Sequence, residues 1–373
     1  MKKERIIWYI ALLCRLLTGL TFSVSGYVKA IDPLGTQYKI TDYLGALSLE
    51  SLVPQWMTLM ASLSVSTLEF CLGILLLVGI RRDMVTRLSA VFMCFMTLVT
   101  VWIFLFNPVS DCGCFGDAIK LTNGQTLAKN ILLLASTVFL WRRRELVTPL
   151  LPQKYNWIVT NVVAVVVLGT SAWSLYDLPI VDFRPYKVGV NIRKSMEIPP
   201  GSPQPKLETY FILEKEGKRQ EFTLDNYPDS TWTFIDSRTV ELSPGYVPPI
   251  SDFAVTDRET GEDVTDRILG YKGYTYLLVC PRLEDADDSA FGEIDAIYEN
   301  AMDKGWHFYC LTSSGDKGIE NWRDVTGARY DFLSADATVL KTMIRSNPGL
   351  ILLKDGTILG KWSHNRLEKV LCN

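Results

Sequence analysis

Apolar runs of about the length that a bilayer-crossing helix needs, roughly 20 residues, follow one another through the first part of the chain. Ile6 to Val28, Trp56 to Ile80, Met84 to Phe106, Thr126 to Trp141 and Trp157 to Leu175 are five such runs, the fourth being the shortest. Basic residues fall in alternate connections. Lys2, Lys3 and Arg5 precede the first run, Arg81, Arg82 and Arg87 follow the second, and Arg142, Arg143, Arg144 and Lys154 follow the fourth; the other connections carry chiefly Lys29, Lys39, Lys120 and Lys129. Lysine and arginine are retained on the cytoplasmic side, so the amino terminus is expected inside, and an odd number of spans places everything after about Leu175 outside. The expectation is a multi-pass protein of the inner (cytoplasmic) membrane with an extracytoplasmic C-terminal domain, periplasmic in a Gram-negative cell. Ser23, Ser25 and Gly26 would suit a signal peptidase, but the first run is long for a signal core and carries Arg15, which fits a retained helix.

Beyond Val181 the pattern changes. Proline and turn residues separate strand-like stretches up to Pro249: Leu207 to Glu214, a Glu216-Gly217 turn and Lys218 to Leu224 predict a hairpin, and Trp232 to Asp236 with Thr239 to Leu242 predict another. After Gly270, strands and helices alternate: Tyr274 to Cys280 as strand, Asp288 to Lys304 as helix, Trp306 to Thr312 as strand, and a helix around Ala337 to Arg345. Leu350 to Leu353 and Ile358 to Trp362 then form a terminal hairpin. The fold class expected is an α-helical polytopic membrane bundle followed by an α/β soluble domain. Its divisions are a four-helix membrane module over 1–145, a fifth transmembrane helix over 155–176, a β-rich module over 181–250 and an α/β domain over 251–373.

Composition narrows the chemistry. Hydrophobic residues make up 48% and charged residues 21% of the chain, and the net charge of −3 argues against a nucleic-acid partner held by bulk positive charge. His307 and His364 are the only histidines, which excludes multi-histidine metal sites. Cys, Asp, Glu and Lys remain as carriers.

Asp111-Cys112-Gly113-Cys114-Phe115-Gly116-Asp117, between the third and fourth runs, is the sharpest feature. Topology puts it on the outer side, where disulfides persist. Two cysteines around one glycine close only a small ring, which strain makes easier to reduce, and Gly113 supplies the backbone freedom. Asp111 and Asp117 should raise the thiol pKa values. Three readings stay open: a redox-active pair, a structural disulfide or free thiols, and a metal site, which two thiolates would fit better as linear Cu(I) than as zinc; no metal is assigned. Cys14, Cys71 and Cys94 lie in apolar runs and read as small hydrophobes. Cys280, Cys310 and Cys372 form an odd set, Cys310 within a core strand and Cys280 at a strand end. Arg15 and Glu69, counted from the inner ends of the first two runs, fall at depths within one helical turn. An Arg15–Glu69 pair facing the bundle interior is one reading, and a proton relay or ligand contact is the other.

Two resemblances bear on function. Arg15, Gly19, Phe22, Ser25, Gly26, Lys29 and Asp32-Pro33 in the first run, Glu69 and Gly73 in the second, and the run from Cys112 to Gly116 resemble the DoxX-like membrane family, particularly its methylamine-utilisation MauE branch, over roughly the first 145 residues. That resemblance implies a four-helix redox-associated module, with Cys112 and Cys114 as the reacting pair and Gly113, Glu69, Arg15 and Lys29 in support. It further implies a link to maturation of a disulfide-rich envelope protein and, through DoxX relatives, to quinone. The last hundred residues resemble the thioredoxin-like fold in element order and in Pro348, where that fold keeps a cis-proline. A CxxC pair is missing there: the stretch reads Cys280-Pro281-Arg282-Leu283, leaving Cys280 as one thiol without a resolving neighbour. The leading expectation is a membrane-embedded thiol/disulfide redox protein acting at the outer face on an envelope protein client, with a quinone-linked oxidoreductase as its enzyme form. The rival is a membrane-anchored interaction protein with a structural Cys-Gly-Cys loop. The soluble tail is expected to bind rather than catalyse, offering the Pro348 edge for strand addition, and Cys114→Ala is the variant in which partners should be trapped.

Overall fold

In a computed structural model the described residues are 2–109, 112–203, 206–215, 217–229, 231–243 and 245–371. Helix α1 (Lys2–Ile31) ends at Asp32, whose carboxylate accepts from the Gly35 N–H (2.9 Å) and so caps α2 (Pro33–Ala46), with Pro33 opening its first turn. α3 (Gln55–Val78) returns, followed by α4 (Arg82–Phe106), α5 (Asn123–Arg142) and α6 (Asn156–Tyr176). Two glycines bring α1 and α3 together. A Cβ on Gly26 would stand 2.4 Å from the Phe70 nitrogen, and one on Gly73 would stand 2.5 Å from the Ser23 nitrogen, so only glycine permits this approach. Phe22, Leu72 and Leu76 are buried in the core of the bundle.

Among the described residues four helices are long and apolar enough to cross a membrane: α1, α3, α4 and the segment Gln153–Tyr176 that contains α6. The 20-residue α5, expected as the fourth of five spans, does not reach that apolarity, because Lys129, Asn130, Ser136 and Thr137 interrupt it. It runs antiparallel to α4 all the same. Asn123 donates to Asn107 (2.7 Å) at one end, Asn130 to Thr100 (2.7 Å) midway, and Arg144 pairs with Asp83 (2.6 Å) at the other.

After the short α7 (Ile192–Met196), β1 (Lys206–Lys215) is the central strand of a three-stranded antiparallel sheet, flanked by β2 (Lys218–Thr223) and β3 (Thr233–Ser243). The first hairpin is present, its Glu216 lying outside the described residues. The second is not: the stretch predicted to fold back is one strand, which pairs with β1 throughout and absorbs its irregularity as register shifts at Ile212/Leu213 and Lys206/Leu207.

A six-stranded mixed sheet follows. In chain order it is built from β4 (Val255–Asp257), α8 (Thr265–Leu269), β5 (Tyr274–Cys280), α9 (Phe291–Asp303), β6 (His307–Thr312), α10 (Asp316–Thr326), β7 (Asp331–Ala335), α11 (Ala337–Met343), β8 (Gly349–Lys354), β9 (Thr357–Ser363) and α12 (Glu368–Leu371). Strand order is β4-β7-β6-β5-β8-β9, with β5, β6 and β7 parallel and the other pairings antiparallel. Both faces of β5 are covered, which explains its unbroken apolar run: Leu277 and Val279 pack toward α8 and α11, while Tyr276, Leu278 and Cys280 pack toward α9 and α10. The α10–β7 unit has no counterpart in the expected element list, since α10 is polar on most of its surface and buries little beyond Ile319 and Trp322. The Asn347–Pro348 peptide is cis. β8, which follows it, lies between β5 and β9, and the outer strands are β4 and β9.

Candidate functional site

The loop joining α4 to α5 brings the Cys112 and Cys114 sulfurs to 3.2 Å. Gly113 between them has φ +62°, a left-handed turn that a side chain would strain, with the Lys39 stem lying where its Cβ would go. The thiols are 8% and 7% exposed and pack with Ile103 and Phe115. Two helices hold the loop by its carbonyls: Tyr43 of α2 donates to the Cys112 oxygen (2.6 Å), and Ser25 of α1 donates to the Cys114 oxygen (2.5 Å). The Ser25 hydroxyl in turn accepts from Lys29 Nζ (3.1 Å), which also pairs with Glu69 of α3 at 2.5 Å. On the far side, Lys129 of α5 lies over the Phe115 ring, 4.6 Å from its centre.

These neighbours divide the two thiols. A hydrogen bond from Cys112 lowers the Cys114 thiol to about 6 against the opposing effect of burial, with Lys129 and Lys29 adding to the pull. The same hydrogen bond, together with burial, pushes Cys112 far up. Charge adjacent in sequence therefore misleads. Asp111 lies outside the described residues, and Asp117 turns to Arg345 (3.4 Å) while two lysines from distant helices face the sulfurs.

The expected Arg15–Glu69 pair does not form. Arg15 donates to the carbonyls of Leu76 (3.0 Å), Leu77 (2.7 Å) and Thr148 (2.9 Å), closing the C-terminal end of α3, and Glu69 belongs to Lys29. Counting from the inner ends assumed that both helices start level. Instead Gly19 lies against Leu77, Ser23 against Gly73 and Gly26 against Phe70, which puts Glu69 several turns from Arg15. Cys280 is in the sheet core beside Cys310, both fully buried. Burial, then contact with Cys280, raises the Cys310 thiol well above its usual range. Cys372 lies outside the described residues.

Arg345, for which the sequence carried no signal, joins the two halves of the chain. Its guanidinium pairs with Asp32 (2.9 Å) at the start of α2 and with Asp117 in the cysteine loop, above the Tyr38 ring (5.2 Å to the centre). Burial pushes the Asp32 carboxyl up, but Arg345 outweighs it and holds the group below its ordinary range. Nearby, Asp182 bonds both Arg184 and Lys361 at 2.7 Å, and Ser363 donates to Asp177 (3.1 Å). The α/β domain is thus seated on the end of the bundle that carries the thiols.

Residues 7–142 match the family described as methylamine utilisation protein MauE, and residues 207–242 match a domain of unknown function, DUF8463. No curated protein and no solved structure matches the chain. The first match covers α1 to α5 with the cysteine loop and, with the four apolar helices, makes this a multi-pass membrane protein.

Proposed function

We propose that the chain is a membrane-anchored thiol–disulfide exchange protein that works at the outer face through Cys112 and Cys114. The observation that carries this reading is two thiols 3.2 Å apart in a loop held by Tyr43 and Ser25, with Lys29 and Lys129 on the Cys114 side; that setting favours the thiolate at Cys114 and the thiol at Cys112, the division of labour between a nucleophile and a resolving thiol. Cys114 as thiolate attacks a disulfide sulfur of the client and displaces the other sulfur, which takes up a proton. Cys112 then loses its proton and attacks Cys114 in the mixed disulfide, releasing the second client thiol. Two electrons and two protons pass to the client, and Cys112 and Cys114 become a disulfide; the reverse sequence oxidises a client dithiol.

Orientation follows the same reading. Connections rich in arginine gather at one end of the bundle, where Arg144 meets Asp83 and Arg15 meets Thr148; the cysteine loop, α2 and the α/β domain share the other. Retention of basic residues inside supports an outer position for the thiols, and α5 lying along α4 supports a fifth crossing. The order of β5 to β9 supports a thioredoxin-like reading of the C-terminal domain, without its own dithiol. The family description links the membrane half to methylamine utilisation, and we assign as client an envelope protein with exchangeable cysteines.

Trapping tests the reading. With Cys114 as nucleophile the resolving thiol must be removed, so Cys112→Ala, rather than the Cys114→Ala that the sequence suggested, should accumulate reductant-sensitive adducts in membranes. Adducts equally abundant with Cys114→Ala and absent with Cys112→Ala would reverse the assignment. Absence from both would end the exchange reading.

A further inference from the structure

The ion pair between Lys29 and Glu69 is the most costly buried feature near the thiols. The two residues are 4% and 6% exposed, and taking both charges out of water costs several kcal/mol before their attraction returns any of it. Packing does not call for the pair. The seam between α1 and α3 is already closed by Gly26 on Phe70 and Gly73 on Ser23, and apolar residues of similar volume usually serve a buried position as well. What the pair does reach is the thiol loop: Lys29 Nζ bonds the Ser25 hydroxyl, which donates to the Cys114 carbonyl.

We propose, building on the exchange reading, that the Lys29–Glu69 pair is an electrostatic device for Cys114, Lys29 adding to Lys129 in favouring its thiolate, Glu69 acting in the opposite sense and Ser25 fixing the pair to the loop. The groups facing Cys114 are Cys112 from the loop, Lys29 from α1, Glu69 from α3 and Lys129 from α5. Tyr43 of α2 holds the Cys112 side of the loop, Lys39 of α2 runs beside Gly113, and Asp117 is drawn off by Arg345. Lys129 and Lys29 both favour the thiolate, and Glu69 opposes it. Lys29 is the one of the two lysines whose effect a neighbouring carboxylate partly cancels, so the pair acts as an adjustable field rather than a fixed one.

A structural pair and an electrostatic one predict different signs. Alkylation of Cys114 is followed against pH in the full chain in detergent, with the modified peptide quantified by mass spectrometry. Lys29→Gln leaves the Glu69 charge beside the thiol and should slow labelling about fivefold at pH 6 with no change at pH 9. Glu69→Gln leaves Lys29 unopposed and should speed labelling about fivefold at pH 5. Lys29→Arg keeps the charge and should restore the wild-type profile. The double variant Lys29→Gln/Glu69→Gln has no buried charge to misfold over, and its profile should fall between those of the two single variants. Shifts of the same sign in both single variants, or a double variant matching Lys29→Gln, would overturn the proposal while leaving the exchange reading intact. A Cys114 that labels no faster above pH 6 than below it would overturn the exchange reading itself, and the proposal with it.

Discussion

Cys112 and Cys114 sit in a loop at one end of a helical bundle, and Cys280 and Cys310 on adjacent strands of a sheet; in each pair one thiol hydrogen-bonds the other. All four are nearly or wholly covered, so burial does not separate them. Charge does. Lys29 and Lys129 reach Cys114, whereas Cys310 is enclosed by side chains such as Leu278, Ile294 and Phe332 and its thiol is driven up. The difference teaches that contact between two sulfurs favours a thiolate where cations stand beside the pair, as Lys129 and Lys29 do at Cys114, and not where burial is unrelieved, as at Cys310.

The largest expected effect is the contrast in labelling. At pH 7 a thiol near 6 is about nine-tenths thiolate, against about 3% for an ordinary one. Cys280 and Cys310 must await local unfolding, so Cys114 should alkylate more than about a thousandfold faster than either. Its rate should halve as the pH falls to about 6. Native labelling of Cys310 at a comparable rate would break the comparison.

Next in size is the seat of the α/β domain. Arg345→Ala leaves Asp32 and Asp117 unpaired and should cost about 3 kcal/mol, read as a lowered midpoint of thermal unfolding. Freed of Asp117's anchor, the loop should also expose Cys114, whose alkylation rises several-fold while that of Cys310 stays unchanged. An unchanged Cys114 rate alongside lost stability would separate docking from access to the thiols.

Double-mutant cycles sharpen the charge argument. Lys29 and Glu69 should couple by more than about 1 kcal/mol, whereas Arg15 and Glu69 should add independently within about 0.5 kcal/mol. Coupling of the second pair would restore the arrangement that depth counting predicted.

The smallest effect concerns acid. Asp32 and Asp182 both have carboxyls held below their usual range. Burial raises Asp32, Arg345 outweighs it, and Arg184 with Lys361 does the same for Asp182. The folded state therefore binds these protons more weakly. The stability they contribute is fully present above the unfolded value, about 3.9, and is lost as pH falls through the lower folded values. Asp32→Asn should flatten that part of the acid-unfolding curve, and an unaltered slope would show that Arg345 does not hold Asp32 in this way.

Much of the architecture was legible along the chain because it rests on short-range periodicity. Apolar runs marked the long helices, turn residues marked the first hairpin, and the run from Tyr274 to Cys280 marked a strand. The α10–β7 unit escaped because a helix that buries one narrow stripe beside a five-residue strand leaves little apolar signal. The cysteine loop was equally visible as a motif, but the two lysines that act on Cys114 come from helices remote in sequence, and of the neighbouring aspartates the described one, Asp117, pairs with Arg345.

By itself, then, the sequence determined the long apolar helices and the core strands, where a glycine must sit between two thiols, and which charges lie in apolar surroundings. Tertiary structure decided which of those charges meet. Arg15 reaches backbone carbonyls at the end of α3, Lys29 rather than Arg15 takes Glu69, and Arg345 finds Asp32 from 313 residues away. Secondary structure is set by backbone geometry repeating every few residues, whereas an ion pair depends on the axial offset of two packed helices or on the docking of two domains. A few residues of offset between α1 and α3, imposed by Gly26 against Phe70 and Gly73 against Ser23, were enough to exchange one partner for another.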